Sequence, residues 1–347
     1  MIKLYQIYLF VLIVSACTEQ RDLFVVSSPL LMIENDFKPA QISNENGATA
    51  MIYDRPKGPT ELVPNAIRKT IGLAPGFYDI MIFNGLMYSP TQSHLDHIYY
   101  RGTDGFDTFE AVATEMSEDM KFRAKSNEKI IHFPDILATR STAEHKMQGR
   151  QKFEMKYANG KNGLPTSPNY IEDTLYFSPC RVTHTCQVIA RVRNPKSARI
   201  VQAKLHGFSG SVFLANRMPG HNYITHQFTL NSLKIDQSDP NIGTITSPVF
   251  NTFGPPLDLP DRRYTIEVNV LMTNSQELPT MAFDVTDQVN KAITYLTAEQ
   301  LKNKPIMDTF YIFIEFELPN VVSDNMDVGV EDWGNDVIIT VPIKFDN

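Results

Sequence analysis

Few residues in this chain have the types and spacing that catalysis or metal binding requires. Gly207-Phe-Ser-Gly-Ser211 comes within one residue of the nucleophile elbow, but that motif needs glycine where Ser211 stands and an α/β sheet around it. His94-Leu-Asp-His97 offers two metal ligands in a Ser/Thr/Pro loop without a third nearby. The acidic segment 324–332 lacks the EF-hand spacing. We therefore predict no enzyme, no metal site and no cofactor.

The chain contains three cysteines, of which Cys180 and Cys186 lie close together. On one extended strand they would share a face but stand about 20 Å apart at 3.3 Å per residue. A disulfide needs Cα atoms within about 7 Å, and the residues between them include no turn formers. We predict two free, buried thiols. His184 lies between them, but two thiols and one histidine on one strand do not make a zinc site.

Cys17 follows an apolar segment of the kind that directs secretion. Met1-Ile-Lys3 is weakly positive, Leu4–Val14 is almost wholly apolar, and Val14-Ser-Ala-Cys17 ends it with small residues before the cysteine. A secretory signal has these zones, and a cysteine after the cleavage position is typical of the bacterial lipobox. We predict that residues 1–16 are a signal peptide and that the Cys17 thiol carries diacylglycerol.

The alternative is an ordinary signal peptide, or a lone membrane helix, with an incidental cysteine. The apolar run is shorter than the roughly 20 residues that span a bilayer. Several acyl chains would hold the protein permanently on a membrane, since each buried CH₂ contributes about 0.8 kcal/mol. Thr18 stands where Asp would indicate inner-membrane retention, so we predict an outer-membrane, surface-exposed lipoprotein with residues 17–22 as a polar tether.

Composition describes a globular body that carries net negative charge. The 347 residues are 42% hydrophobic and 20% charged, with a net charge of −7. Phosphate binding needs clustered Lys and Arg, so nucleic acid is excluded as a partner. A chain of this length predicts two domains of ordinary size.

Alternation of apolar and polar residues predicts strands along most of the chain. It is clearest in four segments: Cys186–Asn194, Tyr264–Met272, Phe310–Leu318 and Val337–Phe345. The apolar set of the last segment is Val337, Ile339, Val341, Ile343 and Phe345. Antiparallel sheets with one solvated face need strands of this kind.

The alternation of apolar and polar residues is less regular in the first half of the chain. Sequence signals for helices are scarce throughout. Further strands are predicted at Leu23–Glu34, Ala48–Tyr53, Leu73–Phe83, Ile98–Arg101 and Phe106–Glu115. Helices are predicted at Asp287–Tyr295 and at Thr297–Leu301, where Thr297 and Gln300 form a capping box.

A polar interval suggests where the domains meet. Residues 138–161 are polar, and Gly163–Asp173 is rich in Pro, Asn, Thr and Ser. We place the boundary after residue 175. The prediction is a mainly β protein of two tandem antiparallel β-sandwiches, at residues 23–175 and 176–347, with few short helices.

Several ordered segments resemble the fimbrillin-type lipoproteins of the Bacteroidales, which are related to type V pili. Leu73–Asn84 resembles their "L-x-P-G-x-Y" strand, and Tyr100–Ala111 is similar to the "FRGTDxFDTFEA" segment of one branch. Asn251–Gly254, Phe283–Val289 and Asp327–Trp333 resemble the "F-x-x-F-G", "DVTDQ" and "DVGV-x-DW" segments of that branch, in the same order. The chain departs from the family at Leu30–Phe37 and in the insertion 138–173.

The resemblance implies transthyretin-like sandwiches that join by strand exchange. A protease cuts after Arg or Lys to remove the first strand, and a neighbour's terminal strand fills the groove by β-augmentation. Arg68 and Arg55 lie in the right region for that cut, and Pro56 after Arg55 makes Arg68 the better candidate. An anchor subunit would instead keep its lipid. Val337–Phe345 has the alternation of a donor strand, but it could equally close its own sheet, and Pro342 suits an edge strand in either case.

Two functional hypotheses follow. The first is a lipid-anchored structural protein, a fimbrillin-like pilus subunit or anchor/accessory protein that acts in adhesion with other fimbrial subunits as partners. The second is a monomeric lipoprotein that binds glycans. Tyr88, Tyr99 and Tyr100 hint at an aromatic platform for a glycan, although strand tyrosines more often pack in a core.

Overall fold

The computed structural model describes residues 29–43, 47–55, 57–89, 95–148, 171–256, 262–273, 279–292 and 309–319. The predicted mainly β class is confirmed, and most of the predicted strands in this part of the chain are present. One α-helix is described, at residues 286–292 (α1), and it overlaps the predicted helix Asp287–Tyr295. Short 3-10 helices occur at Lys38–Ala40, Glu118–Met120 and Pro195–Ser197.

The strands are numbered in chain order. Those of the first half are β1 Leu30–Asn35, β2 Ala48–Asp54, β3 Gly58–Pro64, β4 Arg68–Gly72, β5 Gly76–Asn84, β6 Ile98–Arg101, β7 Glu110–Ala113, β8 Ile130–Ile131, β9 Ala138–Met147 and β10 Ile171–Phe177. Those of the second half are β11 Cys180–Arg181, β12 His184–Arg193, β13 Ala198–Ser209, β14 Ser211–Phe213, β15 Tyr223–Leu230, β16 Ser232–Ile235, β17 Ile242–Thr246, β18 Phe250–Thr252, β19 Thr265–Met272, β20 Thr280–Asp284 and β21 Phe310–Glu317.

Five sheets are built from these strands. The outer sheet has the order β10-β1-β4, the central sheet β11-β9-β5-β2-β3, and the bridging sheet β14-β7-β6. The β13 sheet has the order β20-β19-β13-β15-β8; the β12 sheet has the order β16-β17-β12-β18, with β21 also paired to β12. Most pairs are antiparallel, but β1–β10, β12–β21 and β15–β8 are parallel. Each parallel pair joins strands far apart in sequence, as the crossover geometry requires.

The central sheet is buried on both faces. Ile52 of β2 and Ile80 of β5 face a core shared with the outer sheet. Met51 and Phe83, on the opposite face of the same strands, belong to a second core that extends into the β12 and β13 sheets. In β2 and β5 the side chains at odd and at even positions are both buried. This explains why these strands are continuous apolar runs rather than alternating ones.

The predicted domain boundary after residue 175 falls inside β10. Strands before that point pair with strands after it: β7 pairs with β14, and β8 pairs with β15. The second core also joins residues of both sides, such as Phe83 and Val188. The division into units 23–175 and 176–347 stays a prediction.

The polar interval that suggested this boundary contains a strand. β9 lies inside the central sheet, between β5 and β11. Its polar side chains are satisfied by backbone carbonyls: Thr139 Oγ1 donates to Ile82 O at 2.9 Å, and Ser141 Oγ donates to Ala215 O at 2.7 Å. Because these hydroxyl groups hydrogen-bond in the interior, β9 lacks the apolar alternation that would have predicted it.

A buried ion pair fastens residues 121–129 to the β13 sheet. Lys204 of β13 is 1% exposed, and its Nζ donates to Glu128 Oε2 at 2.9 Å and to Arg123 O at 2.8 Å. Burial raises the pKa of Glu128, but hydrogen bonds from the Lys125 backbone N–H and from Lys204 outweigh that effect and lower it. The charge of Lys204 is therefore compensated inside the fold.

Removing this buried cation should strongly destabilise the protein. Lys204→Met leaves Glu128 buried without its partner, and we expect a loss of about 3–5 kcal/mol in the free energy of unfolding. The matched control is Lys125→Met, because Lys125 pairs with Glu267 at the surface and an exposed pair contributes below about 1 kcal/mol. Urea unfolding of both variants measures the difference; equal losses would contradict the assigned burial.

Two histidines are buried in the second core in the neutral form. Burial lowers the pKa of His184 to about 4, with Arg181 as a smaller cause, and lowers the pKa of His226 to about 3. His226 Nε2 lies 3.1 Å from Thr252 Oγ1. In the unfolded chain a histidine has a pKa near 6.5, so the unfolded state takes up these protons first as the pH falls.

Stability should therefore decrease as the pH falls from about 6.5 toward 4. At pH 5 each buried histidine lowers the free energy of unfolding by on the order of 2 kcal/mol relative to pH 8. His226→Gln should remove the contribution of His226 to this loss of unfolding free energy. Urea unfolding of wild type and variant at pH 8, 6 and 5 measures the difference. Parallel losses in the two proteins would show that His226 is not the group that titrates.

Candidate functional site

Among the described residues, the strand β21 lies at an edge of the β12 sheet. It pairs with β12 along its whole length, from Phe310 opposite Cys186 to Glu317 opposite Arg193. On its other side no strand of the described residues pairs with it. An edge strand presents free N–H and C=O groups to which a further strand can add. We call this side of β21 the β21 edge.

The helix α1 contacts the β21 edge at one residue. Gln288 Nε2 donates to Phe313 O at 2.8 Å, and the Phe313 backbone N–H donates to Gln288 Oε1 at 2.8 Å. The side-chain amide thus makes the two hydrogen bonds that a neighbouring strand would make at this position. Val285 and Val289 are buried in the second core and hold this part of the chain in place.

The segment Phe283–Val289, noted above for its "DVTDQ" pattern, is organised by its own polar side chains. Asp284 Oδ1 accepts the Thr286 backbone N–H at 2.9 Å, at the start of α1. Thr286 Oγ1 in turn accepts the Tyr264 backbone N–H at 3.0 Å. Sequence reasoning noted the pattern but missed the role of Gln288, because its partner Phe313 is distant in sequence.

An aromatic pair lies on the solvent face of β21. Tyr311 is 49% exposed and Phe313 57% exposed, and their ring centroids are 6.3 Å apart. Large apolar side chains exposed side by side on a sheet are characteristic of interaction surfaces. The tyrosines suggested by the sequence do not form one platform: Tyr88 and Tyr99 are exposed, but Tyr100 packs against Phe83 and Phe109 in the core.

The near-match to a nucleophile elbow is part of the structural framework. Ser209 is buried, and its Oγ donates to Gly220 O at 2.7 Å. Ser211 is also buried and hydrogen-bonds to Glu110, which pairs with Arg101. Both hydroxyl groups are engaged by backbone or carboxylate oxygens, so the structure gives them a structural role.

The turn between β6 and β7 contains the family-like "RGTDGFDT" residues and requires glycine. Gly102 has φ of +63°, and a Cβ there would clash with Thr108 O. Thr108 Oγ1 donates to Gly102 O at 2.9 Å, and Tyr53 Oη donates to Thr103 O at 3.1 Å. These contacts close the turn over the central sheet.

The predicted free thiols are present: Cys180 and Cys186 are buried and unbridged. Burial raises the pKa of Cys186 well above its usual value. His97 stacks on His132 at a centroid distance of 4.6 Å, while His94 lies outside the described residues. Within the described ranges no group of three or more His, Cys, Asp or Glu could hold a metal ion.

The two arginines predicted as maturation sites lie on either side of β3. Arg55 Nε donates to both Asp79 oxygens at 3.0 and 3.1 Å, and its Nη1 donates to Glu144 at 2.6 Å. The hydrogen bond with Asp79 is the main reason that the Arg55 pKa is raised. Arg68, 74% exposed in its side chain, begins β4 and pairs with Glu34 of β1 at 3.0 Å. Cleavage at either position stays a prediction.

The described residues do not include Cys17 or the segments 1–16 and 17–22. They also do not include the predicted terminal strand with Val337, Ile339, Val341, Ile343 and Phe345. The acidic segment 324–332 and the predicted helix Thr297–Leu301 lie outside them as well. Among the helices that are described, none has both the length and the apolar character to cross a membrane.

Solved structures of two candidate adhesins and of a fimbrial anchor protein are similar to this chain. A candidate adhesin from Bacteroides ovatus superposes with a TM-score of 0.54 at 16% identity, covering 87% of this chain and 94% of that chain. A candidate adhesin from Bacteroides thetaiotaomicron gives a TM-score of 0.48 at 9% identity, covering 84% and 93%. The fimbrial anchor protein Mfa2 from Porphyromonas gingivalis gives 0.43 at 11% identity, covering 83% and 90%. At these identities the first similarity shows a shared fold.

Comparison with proteins of curated function finds no match to this sequence. One family profile, described as a domain of unknown function and designated DUF5119, matches residues 17–229. Since this match covers more than half of the 347 residues, the chain belongs to the DUF5119 family.

Proposed function

We propose that the protein is a lipid-anchored surface protein of adhesin type, a fimbrillin-like pilus subunit or anchor/accessory protein that assembles through β-strands. The observation that carries the proposal is the β21 edge, open to a further strand beside an exposed aromatic pair. The shared fold with a candidate adhesin and the lipobox at Cys17 support it. The proposed role is structural and needs no catalysis.

The position of β1 favours an anchor or accessory role over a trimmed shaft subunit. β1 is the middle strand of the outer sheet, and its Leu31 and Ile33 are fully buried. A cut after Arg55 or Arg68 would separate β2 as well as β1, and β2 lies within the central sheet. Between β1 and β2 the one basic residue is Lys38, which precedes Pro39. Proteolytic removal of β1 alone therefore lacks a suitable cleavage site.

Lipid attachment at Cys17 is tested in the native host by fractionation and mass spectrometry. We expect the mature chain to begin at lipidated Cys17 and to lie in the outer membrane. Cys17→Ala should release it from that fraction, because the acyl chains supply the membrane affinity. Thr18→Ala, the matched control, should stay anchored. Retention of Cys17→Ala in the outer membrane would contradict lipid anchoring.

The same cells test the fimbrial role. If the chain is a subunit, filaments sheared from the surface should contain it. If the chain is an anchor, it should be found at the filament base with its Cys17 terminus intact. A terminus after Arg68 or Arg55 would instead identify a trimmed subunit. Absence of the chain from filaments, with no effect of its deletion on their attachment, would refute the fimbrial proposal.

The aromatic pair on β21 favours a second candidate function, glycan binding by a monomer. Aromatic ring faces at this spacing could stack on sugar rings. If so, the double variant Tyr311→Ala/Phe313→Ala should lose retention on a host-polysaccharide column. Tyr176→Ala should retain it, because Tyr176 is 76% exposed but lies on β10 in a different sheet. Equal retention of all three proteins would count against the glycan site.

A further inference from the structure

The residues between β7 and β8 form a loop whose two ends are joined. Glu115 forms a β-bridge with Ile131, and the Met116 backbone N–H donates to Ile130 O at 2.9 Å. Between these contacts lie residues 117–129, all of which the structure describes. Loops of this length with closely spaced ends are compact and frequently functional. We call these residues the 117–129 loop.

Polar contacts rather than apolar burial hold the 117–129 loop against the molecule. Met120 is exposed and Phe122 is only partly buried, and no residue of the loop belongs to either core. The Phe122 N–H donates to Gln227 Oε1 of β15 at 2.7 Å, and Gln227 Nε2 donates to Met120 O at 3.1 Å. Lys125 Nζ donates to Glu267 Oε2 of β19 at 2.8 Å. Segments with few buried apolar contacts open more readily than the core.

The loop lies over a row of polar side chains on the β13 sheet. Lys204 is opposite Gln227 of β15 and opposite Glu267 of β19, so the three side chains share one face of the sheet. His206, two residues after Lys204, lies on the same face. Glu128 of the loop accepts a hydrogen bond from Lys204 Nζ at 2.9 Å, and its Oε1 lies 3.6 Å from His206 Nδ1. The loop thus places a carboxylate between a buried ammonium and an imidazole.

We propose that the 117–129 loop is a cover that opens as one unit while both cores stay folded, and that acid promotes this opening. The loop stays joined to the fold at the Glu115–Ile131 bridge, and the pair of Glu128 with Lys204 is its main fastening. Opening uncovers the polar face of the β13 sheet. The inference goes beyond the proposed function and does not depend on it.

The groups under the loop give the direction of the pH effect. Burial is the main cause that lowers the pKa of His206; Lys125 and Lys204 add to it, and Glu128 and Glu267 oppose it in part. The pKa of Glu128 is also lowered in the closed form. Opening returns both groups to water, where a histidine has a pKa near 6.5 and a glutamate one near 4.3. The open form therefore binds more protons, so the closed form loses stability below about pH 6.5 through His206 and below about pH 4.3 through Glu128.

Amide hydrogen exchange on the full chain, with Cys17→Ser to prevent lipidation, tests the opening. Phe122 and Lys125 report the loop, and Val182, whose N–H is bonded in the interior, reports the fold. At pH 7.5 the two loop amides should be at least about a hundredfold less protected than Val182. At pH 5.5 they should lose about a further tenfold together, after correction for the intrinsic exchange rate, since pH 5.5 lies one unit below the pKa of a solvated histidine.

The fastening is tested by Glu128→Gln, which keeps the side-chain shape but removes the charge that compensates Lys204. We expect the protection of Phe122 at pH 7.5 to fall by at least about tenfold, and by more than that of Val182. The matched control is Glu118→Gln in the same loop. Because Glu118 is exposed and pairs with Lys121 at the surface, its loss should change the protection of Phe122 by no more than about twofold.

The acid response is tested by His206→Gln, which should abolish the tenfold change at Phe122 between pH 7.5 and 5.5. His145→Gln, on β9 in the central sheet, should retain that change. Urea unfolding at pH 7.5 confirms that each variant is folded.

Three results would each overturn the proposal. Equal protection of Phe122 and Val182 in the unaltered loop would mean that it opens only when the whole protein unfolds. Unchanged protection of Phe122 in Glu128→Gln would mean that this carboxylate does not fasten the loop. An acid response that persists in His206→Gln would mean that acid does not act through this face of the β13 sheet.

Discussion

Burial of the central sheet on both faces is the constraint on which the rest of the structure depends. Ile52 and Ile80 need an apolar layer on one side, and Met51 and Phe83 need one on the other. The outer sheet supplies the first layer, with Leu31 of β1. The second layer comes from the bridging sheet and continues into the β12 and β13 sheets. Because one layer spans both halves of the chain, the N-terminal strands are tied to C-terminal packing.

Within the described part of the chain, β20 and β21 are edge strands of their sheets. A sandwich excludes water from its middle, but its edges stay exposed unless a strand, loop or helix covers them. Here α1 covers the opening between β20 and β21 in part, with Val289 buried inside and Gln288 at the edge. A side-chain amide satisfies the backbone at one residue, whereas a strand would satisfy every second residue. Gln288 therefore satisfies Phe313 on the β21 edge, and no strand of the described residues pairs with that edge.

Sequence patterns predicted the strands that bury one face, since alternation records which side of a strand meets the core. β12, β19 and β21 were predicted in this way, and most of α1 was predicted from the helix signal at Asp287–Tyr295. β9 could not be predicted in this way, because it carries polar side chains in the interior. The hydroxyl groups of Thr139 and Ser141 donate hydrogen bonds to Ile82 O and Ala215 O, which lie elsewhere in the chain. The platform suggested for Tyr99 and Tyr100 failed for a related reason: neighbours in sequence on a strand point to opposite faces.

Local alternation of apolar and polar residues was sufficient to predict the mainly β class and the strand periods. Cys180 and Cys186 are unbridged as predicted, but they lie on separate strands, β11 and β12, and not on one extended strand. The sequence also supplied the lipobox prediction at Cys17, which depends on a short linear pattern. The three-dimensional structure was needed to show that β2 and β5 contribute to two cores, that Arg55 pairs with Asp79 and Glu144, and that Gln288 hydrogen-bonds to Phe313. Those contacts join residues distant along the chain, and periodicity carries no information about which distant residues become neighbours.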